Sequence, residues 1–203
     1  KAGSQLRSYG ANILVMPVVP AGVDEAYISE NDLSFLDNRE IAPSISSYTP
    51  YLYSQVEIDG QRVILAGARL DSVMKTSPWW QVRGSWPRQV GVGGESEAMV
   101  GAQMAETLGL QLEKNLTVKY KGSSRTLKVA GIVSTGAAEE NQVFVDLGTA
   151  QKLTGLEGKV GLVQVSALTQ SHPLSHLSQF IEQGIPGTEA RIVGQIAKAE
   201  SQI

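Results

Sequence analysis

One stretch of the chain, residues 77–101, constrains the fold more than any other because proline, glycine and tryptophan are concentrated in it. It contains all three tryptophans of the chain: Trp79, Trp80 and Trp86. Pro78 and Pro87 bracket them. Proline lacks a backbone donor and clashes with the preceding helical turn, so the stretch is not a regular helix. We therefore predict an irregular, proline-stiffened segment that carries most of the large aromatic surface of a mainly aliphatic chain.

Length, charge and cysteine content exclude several classes of protein. The chain has 203 residues, 42% of them hydrophobic, and a chain of this length buries about 70% of its unfolded surface. The net charge is −3, with acidic and basic residues interspersed, so the basic stripe typical of nucleic-acid binding is missing and we expect no nucleic acid partner. Cysteine is absent, which excludes thiol catalysis, disulfides and thiolate metal sites.

The ends of the chain resemble cut helices. The strongest apolar run, residues 13–19, is interrupted by Pro17 and is far shorter than the roughly 20 residues of a membrane-spanning helix. No secretory signal peptide is recognisable. Residues 2–9 and 194–203 are polar and compatible with helix. We therefore expect a piece excised from a larger protein, with Lys1 and Ile203 at the same end of the domain.

Capping and turn patterns predict the order of elements. Up to residue 75 we expect a strand at 12–18, a short helix at 32–36, a hairpin of strands 48–58 and 62–67 around Asp59-Gly60, and a helix at 71–75. Beyond the tryptophans we expect strands at 98–100, 116–120, 126–133, 142–145, 160–167 and 190–193, helices at 102–108, 147–153 and 173–182, and a polar loop at 134–141. Strand–helix–strand patterns thus lie at the two ends of the chain, and short strands with one helix lie in the middle. We predict an α+β fold of two lobes: a discontinuous outer α/β lobe with βαβ-type units, and an inserted β-rich lobe with one helix.

The residues that could carry chemistry do not assemble into a recognisable site. His172 and His176, the only histidines, have the i, i+4 spacing of two ligands on one helix face, but a zinc site needs a third protein ligand and no adjacent glutamate supplies it. The glycine-rich run 91–95 lacks the lysine of a phosphate-binding loop. Ser96 has no histidine nearby in sequence, and we expect the acidic pair at 139–140 to be solvated.

Two interpretations of the tryptophans stay open. Their rings could be core residues wedged between the lobes, because aromatic side chains bury a large area. Alternatively, part of the segment could be exposed as a partner interface, since tryptophan and arginine are enriched at binding hot spots. We expect at least one ring to be exposed. The candidate interface residues are Trp79, Trp80, Arg83, Trp86 and Arg88.

Four stretches of the sequence, taken together, resemble a known family. They are residues 10–17 (GANILVMP), 80–87 (WQVRGSWP), 108–133 from LGL to VAGIV, and 142–151 (QVFVDLGTAQ). Their order and character resemble the extracytoplasmic domain of FtsX/MacB-like ABC transporter permeases, which lies between the first and second membrane helices. The likeness covers nearly the whole chain. Three departures are Asp146, where the family commonly has proline, the Trp79–Trp80 pair, which is unusual for the family, and residues 21–40, which match no part of the pattern.

The resemblance implies a location, partners and lobe boundaries. It implies a membrane-proximal outer lobe of residues 1–69 and 147–203, an inserted lobe of residues 70–146, and a place on the periplasmic side of a bacterial inner membrane. The implied partners are a cytoplasmic ATPase subunit or domain, reached through membrane helices, a second permease protomer and an extracytoplasmic protein. ATP turnover would be transmitted to this domain. The family's outer domain has no catalytic residue, so the resemblance assigns no catalytic residue, cofactor or metal.

A second function remains open from the sequence. The chain could be a free-standing extracytoplasmic binding protein with a ligand between its lobes, whereas an enzyme is less well supported because no catalytic constellation can be assembled. Membrane helices flanking the chain would favour the permease. We expect the isolated domain to be mainly monomeric, and we expect residues 79–87 to mark the crossing from the outer to the inserted lobe.

Overall fold

The computed structural model of the protein describes residues 10–88, 96–170 and 172–194. The helices expected at the two ends of the chain and the glycine-rich run 91–95 therefore lie outside the described residues. No helix in the described part is long and apolar enough to cross a bilayer.

Strands and short helices alternate along the chain. In chain order they are β1 (Ile13–Pro17), β2 (Ile28–Ser29), β3 (Ile45–Ile58), β4 (Gln61–Ala68), α1 (Leu70–Thr76), β5 (Gln81–Gly84), β6 (Glu97–Gly101), α2 (Ala102–Leu108), β7 (Asn115–Tyr120), β8 (Ser123–Ser134), β9 (Gln142–Asp146), α3 (Leu147–Thr154), β10 (Lys159–Val160), β11 (Leu162–Ala167), α4 (Leu174–Gly184) and β12 (Thr188–Ile192). Short 3₁₀ helices cover Glu30–Asp37, Ala42–Ser44 and Ala138–Asn141.

The chain divides into two compact units by its internal contacts. The first unit comprises Lys1–Tyr51, Lys75–Ser77 and Gly158–Ile203, and the second comprises Leu52–Met74 and Pro78–Glu157. These junctions differ from the predicted lobe boundaries. The second strand of the hairpin, β4, pairs with β9, so most of the hairpin belongs to the same unit as the residues that we predicted to be inserted. The tryptophan segment begins where the chain enters the second unit for the second time, at Pro78.

The first unit is built on antiparallel strands. β1 lies between β11 and β12, and β11 pairs in turn with the first part of β3. Ile13 and Val15 on β1 are completely buried and alternate with partly exposed neighbours, as a strand with one covered face requires. Ser178 of α4 donates a hydrogen bond to the Ala190 carbonyl, which fastens the helix to β12.

The second unit carries the parallel strand pairs that the sequence patterns predict for the outer lobe. Its strands run in the order β3, β4, β9, β6, β8 and β5, and β7 pairs with β8. β4 and β9 are parallel, as are β6 and β8, because the chain between each pair crosses back over the strands. The crossover from β6 to β8 contains α2. The α+β class is confirmed, and the second unit contains α2, α3 and most of α1.

Local sequence explains the ends of several helices. Gly109 and Gly155 adopt left-handed conformations, with φ of 66° and 72°, and end α2 and α3. Asp146 accepts a hydrogen bond from the Gly148 N–H at 3.1 Å and caps α3. Asp146, which stands where the resembled family commonly has proline, therefore stabilises the start of α3. We predicted that α4 begins at residue 173, but it begins at Leu174, and Pro173 is the N-cap residue before it.

Three expectations about secondary structure are corrected. The proline-rich segment contains a regular strand, β5. The predicted strand at 160–167 is two strands, because β10 pairs with β2 whereas β11 pairs with β1 and β3. The predicted loop 134–141 contains a 3₁₀ helix, Ala138–Asn141, in which Glu139 is buried.

Candidate functional site

The tryptophan segment, residues 78–88 in the described structure, consists of a turn, the strand β5 and an irregular stretch after it. β5 is the last strand in the order of the second unit. β5 pairs antiparallel with β8 in a register that joins Gln81 to Ser134 and Arg83 to Ile132. Within the part of the chain that the structure describes, no strand pairs with the other side of β5. β5 is therefore an edge strand.

The structure separates the three tryptophans by burial. The Trp80 ring stacks on the Trp86 ring, with centroids 6.4 Å apart and planes within 7°, and meets Phe144 edge-on at 5.2 Å. Trp80 is only 9% exposed, and Trp86 is half-buried. Trp79 is 39% exposed. One of the three is therefore a core residue, one packs against it, and one is exposed.

The two arginines of the segment are both exposed and differ in their contacts. The Arg88 backbone N–H donates to Glu97 Oε1 at 2.9 Å, and its guanidinium Nε lies 3.6 Å from the same oxygen. The Glu97 side chain is 7% exposed and also faces Lys128 Nζ at 3.9 Å. Arg88 is therefore held by a buried carboxylate of its own chain. Sequence analysis overlooked Glu97, since an acid in a polar run resembles a surface residue.

Arg83, in contrast, is not held by another side chain of the described structure. Its side chain is exposed and has no hydrogen bond or ion pair with any residue that the structure describes. It lies on the wall of a cavity of about 530 Å³ that is formed by β5, β8 and α2 within the second unit. On the opposite wall is Glu106 of α2, which is also exposed and unpaired among the described residues.

Two glycines fix the geometry at the end of β5. Gly84 has φ of +87°, and a Cβ there would lie 2.4 Å from the Ala130 carbonyl oxygen. A Cβ on Gly131 would lie 2.4 Å from the Ser85 carbonyl oxygen. The Ser85 N–H donates to the Ala130 carbonyl at 2.9 Å. Only residues without side chains allow the two backbones to approach this closely.

The remaining candidates from the sequence are engaged in local contacts. His172 and His176 line a separate cavity of about 320 Å³ in the first unit, and His172 Nδ1 is 3.4 Å from the Ser44 hydroxyl. Across the described residues, no three histidine or acidic side chains are grouped so that they could hold a metal ion. The Ser96 hydroxyl accepts a hydrogen bond from Arg125 at 2.7 Å.

The acidic pair serves its own loop, contrary to our expectation of a solvated pair. Glu140 accepts hydrogen bonds from the N–H groups of Gly136 at 2.6 Å and Thr135 at 3.3 Å. Glu139 is buried and accepts a hydrogen bond from the Thr135 hydroxyl at 3.3 Å. The two carboxylates therefore hold the turn before the 3₁₀ helix.

Comparison with solved structures supports the same fold. The periplasmic region of MacB from Actinobacillus actinomycetemcomitans superposes with a TM-score of 0.67 at 13% identity, over 98% of this chain and 96% of that one. The extracellular domain of the noncanonic ABC-type transporter YknZ from Gram-positive bacteria gives a TM-score of 0.61 at 14% identity, over 89% of this chain and 98% of that one. At such low identity the likeness shows the fold alone. No curated protein sequence matches the chain.

The sequence itself decides the family. The family model described as the MacB-like periplasmic core domain matches residues 2–172, which is most of the chain. The resemblance found from the four short stretches is thereby confirmed, and the chain belongs to the family of MacB-like periplasmic core domains.

Proposed function

We propose that the chain is the extracytoplasmic domain of an ABC transporter permease, and that it binds a partner protein and transmits ATP-driven movement across the membrane. The observation that carries the proposal is the family match over residues 2–172. Two solved structures with this fold are named as the periplasmic region of MacB and the extracellular domain of an ABC-type transporter. This chain would accordingly lie outside the cytoplasmic membrane and act with an ATPase subunit or domain and a second permease protomer.

The proposed role is non-enzymatic. The polar side chains that could suggest catalysis are used in local structure: Ser96 accepts from Arg125, and Glu139 and Glu140 hold the Thr135 turn. Arg83 and Glu106, whose side chains have no hydrogen bond or ion pair among the described residues, lie on the walls of the groove, where they favour recognition of another molecule.

The partner surface is the exposed part of the tryptophan segment together with the groove beside it. Trp79 offers aromatic surface and Arg83 offers a free cation, and both residue types are among those enriched at binding hot spots. Trp80, Trp86 and Arg88 belong to the support of this surface, because their contacts are made within the second unit.

Transport by the intact permease tests the proposal. Arg83→Glu reverses the free charge on the groove wall and should lower transport at least tenfold, because the acidic group of the partner that Arg83 would attract is repelled by a glutamate at this position. Arg62→Glu is the matched control, because Arg62 is also an exposed arginine of the second unit but does not line the groove. Equal transport by the two variants, at equal levels in the membrane, would refute the proposed partner surface.

A further inference from the structure

We propose that the first unit binds an uncharged sugar, a mono- or disaccharide, in the cavity between α4 and the turn at residues 38–41. This is the cavity of about 320 Å³ that His172 and His176 line. The inference goes beyond the proposed function, because the cavity lies in the other unit and contains no residue of the proposed partner surface. The polar lining of the cavity, its apolar floor and its charge each favour a sugar.

One side of α4 presents a row of neutral hydrogen-bonding side chains to the cavity. His176, Gln179 and Gln183 follow one another at helical spacing and therefore lie on the same side of the helix. All three are exposed, and their side chains have no hydrogen bond with another residue that the structure describes. An amide or a neutral imidazole can both donate and accept a hydrogen bond. Such groups match the hydroxyls of a sugar, since a hydroxyl also does both.

The turn at residues 38–41 and His172 complete the polar lining. Asn38 holds the turn, because its side-chain oxygen accepts from the Glu40 N–H at 3.0 Å and its carbonyl accepts from the Ile41 N–H at 3.1 Å. The Glu40 carboxylate is exposed and has no hydrogen bond or ion pair among the described residues, so it can accept from a ligand. His172 Nδ1 lies 3.4 Å from the Ser44 hydroxyl, a contact that orients the ring and leaves Nε2 for a ligand.

The floor of the cavity is apolar and includes an aromatic ring. Ile41 and Leu177 are each 3% exposed, and Phe180 is half-buried. The Phe180 ring packs on the Phe35 ring, with centroids 5.4 Å apart. Gly184 makes room for Phe35, since a Cβ at this position would overlap the Phe35 ring. A sugar ring has C–H groups on its faces and hydroxyls around its rim, so it can cover an apolar floor while its hydroxyls reach the polar row.

The charge and the size of the cavity disfavour other small ligands. Neither lysine nor arginine is among the described residues that line it, so a phosphate or carboxylate group would find no permanent cation there. The only formal charge of the lining is the negative one of Glu40, with histidine counted as neutral. A volume of about 320 Å³ is at the lower end of the roughly 300–1,000 Å³ of small-molecule sites. A small, uncharged ring that is rich in hydroxyls matches these properties.

Titration of disaccharides into the ¹⁵N-labelled 203-residue chain tests the inference. The uncharged probes are maltose, cellobiose, lactose and N,N′-diacetylchitobiose, and the anionic probe is digalacturonic acid. We expect at least one uncharged disaccharide to cause saturable shifts of the His176 and Gln179 amides. Digalacturonic acid should bind roughly threefold weaker or more, because Glu40 repels its carboxylates. The absence of saturable shifts with every uncharged probe, up to its solubility limit, would overturn the inference.

Variants of the polar lining provide the reciprocal test. Gln179→Ala and Gln183→Ala change exposed side chains and should melt like the parent. Each should weaken sugar binding roughly threefold and the double variant roughly tenfold, because each removes hydrogen bonds to the ligand. Gln103→Ala is the matched control and should change nothing, since Gln103 is an exposed glutamine of α2 that does not line the cavity. Glu40→Gln should bring the affinity for digalacturonic acid to within roughly twofold of that for the uncharged sugar.

The outcomes distinguish a sugar from a protein and this inference from the proposed function. N-acetylphenylalanine amide represents an aromatic side chain of a partner protein, and tighter binding of this probe than of every disaccharide would overturn the sugar. Unchanged sugar binding by the double variant of Gln179 and Gln183 would place the sugar elsewhere and overturn the site. Arg83→Glu should leave sugar binding unchanged, so a failure of the sugar site leaves the transport test of the partner surface intact, and the reverse holds as well.

Discussion

Replacing Trp80 by alanine should destabilise the chain far more than replacing its neighbour Trp79. Trp80 is 9% exposed and contacts two aromatic rings, those of Trp86 and Phe144. A buried aromatic side chain removes about 150–250 Å² from water, which is about 4–6 kcal/mol at 25 cal/mol per Å². Measured losses for such truncations are about 3–5 kcal/mol, so we expect a decrease of about 4 kcal/mol in the free energy of unfolding.

Thermal melting followed by far-ultraviolet circular dichroism measures this difference without relying on tryptophan emission. For a chain of about 200 residues, 1 kcal/mol shifts the melting temperature by about 2–4 °C, so Trp80→Ala should melt roughly 8–16 °C below the parent. Trp79 is 39% exposed, and its truncation should cost below about 1 kcal/mol. Similar melting of these two variants would refute the division of the segment into core and surface.

Two further variants identify what Trp80 contributes. Its indole Nε1 is buried and has no hydrogen-bond partner among the described residues. Trp80→Phe removes this unsatisfied donor while keeping a ring, so it should cost far less than Trp80→Ala. The double variant of Trp80 and Trp86 should be non-additive by about 0.5–1.5 kcal/mol, because each ring stacks on the other. If all three single alanine variants melt well below the parent, the segment is entirely core and the interface proposal fails.

Three other predictions follow from buried contacts and from the metal question. Gly101→Ala places a Cβ 2.2 Å from the Glu140 carbonyl oxygen and should lower the free energy of unfolding, measured in urea, by about 1–3 kcal/mol or more. Gly161→Ala is the control and should lower it little, because the atom nearest to its Cβ would be 3.9 Å away. Glu97→Ala should lower the free energy of unfolding by about 2 kcal/mol or more, because the Glu97 side chain is only 7% exposed. Glu113→Ala should lower it by less than about 1 kcal/mol, because Glu113 is 70% exposed, although its ion pair with Lys128 is the shorter of the two. Elemental analysis of the purified chain should find no stoichiometric zinc, and zinc that is lost when the two histidines are replaced would contradict this.

Sequence patterns predicted the elements that local chemistry specifies. Asp59 and Gly60 adopt φ of 52° and 75°, as a two-residue hairpin turn with positive φ at both positions requires, and the turn joins β3 to β4 as expected. Gly109 and Gly155 end α2 and α3 in left-handed conformations, close to the predicted helix ends at 108 and 153. Each of these features depends on the conformational preference of one or two residues, which the sequence displays directly.

Features that depend on distant partners were missed. β5 is four residues long and lies among prolines, and it is a strand only because β8, almost 50 residues further along the chain, pairs with it. The groove could not be predicted, since it requires α2 to lie over that pair. Glu97 gave no signal in a polar run, because only the fold brings Arg88 and Lys128 to it. The sequence therefore pointed to the tryptophan segment as a candidate interface, which stays a prediction, and the division of that segment into buried and exposed residues required the structure.

Site-specific photo-crosslinking in the intact permease tests the central claim most directly. A photoreactive amino acid placed at Arg83, in the groove, is compared with the same amino acid at Arg62, which is exposed in the same unit but does not line the groove. We predict a discrete adduct with a second polypeptide from position 83 and none from position 62, with a yield that changes when ATP hydrolysis is blocked. The absence of an adduct at position 83, or equal adducts at both positions irrespective of ATP turnover, would contradict a partner-binding domain driven by the ATPase.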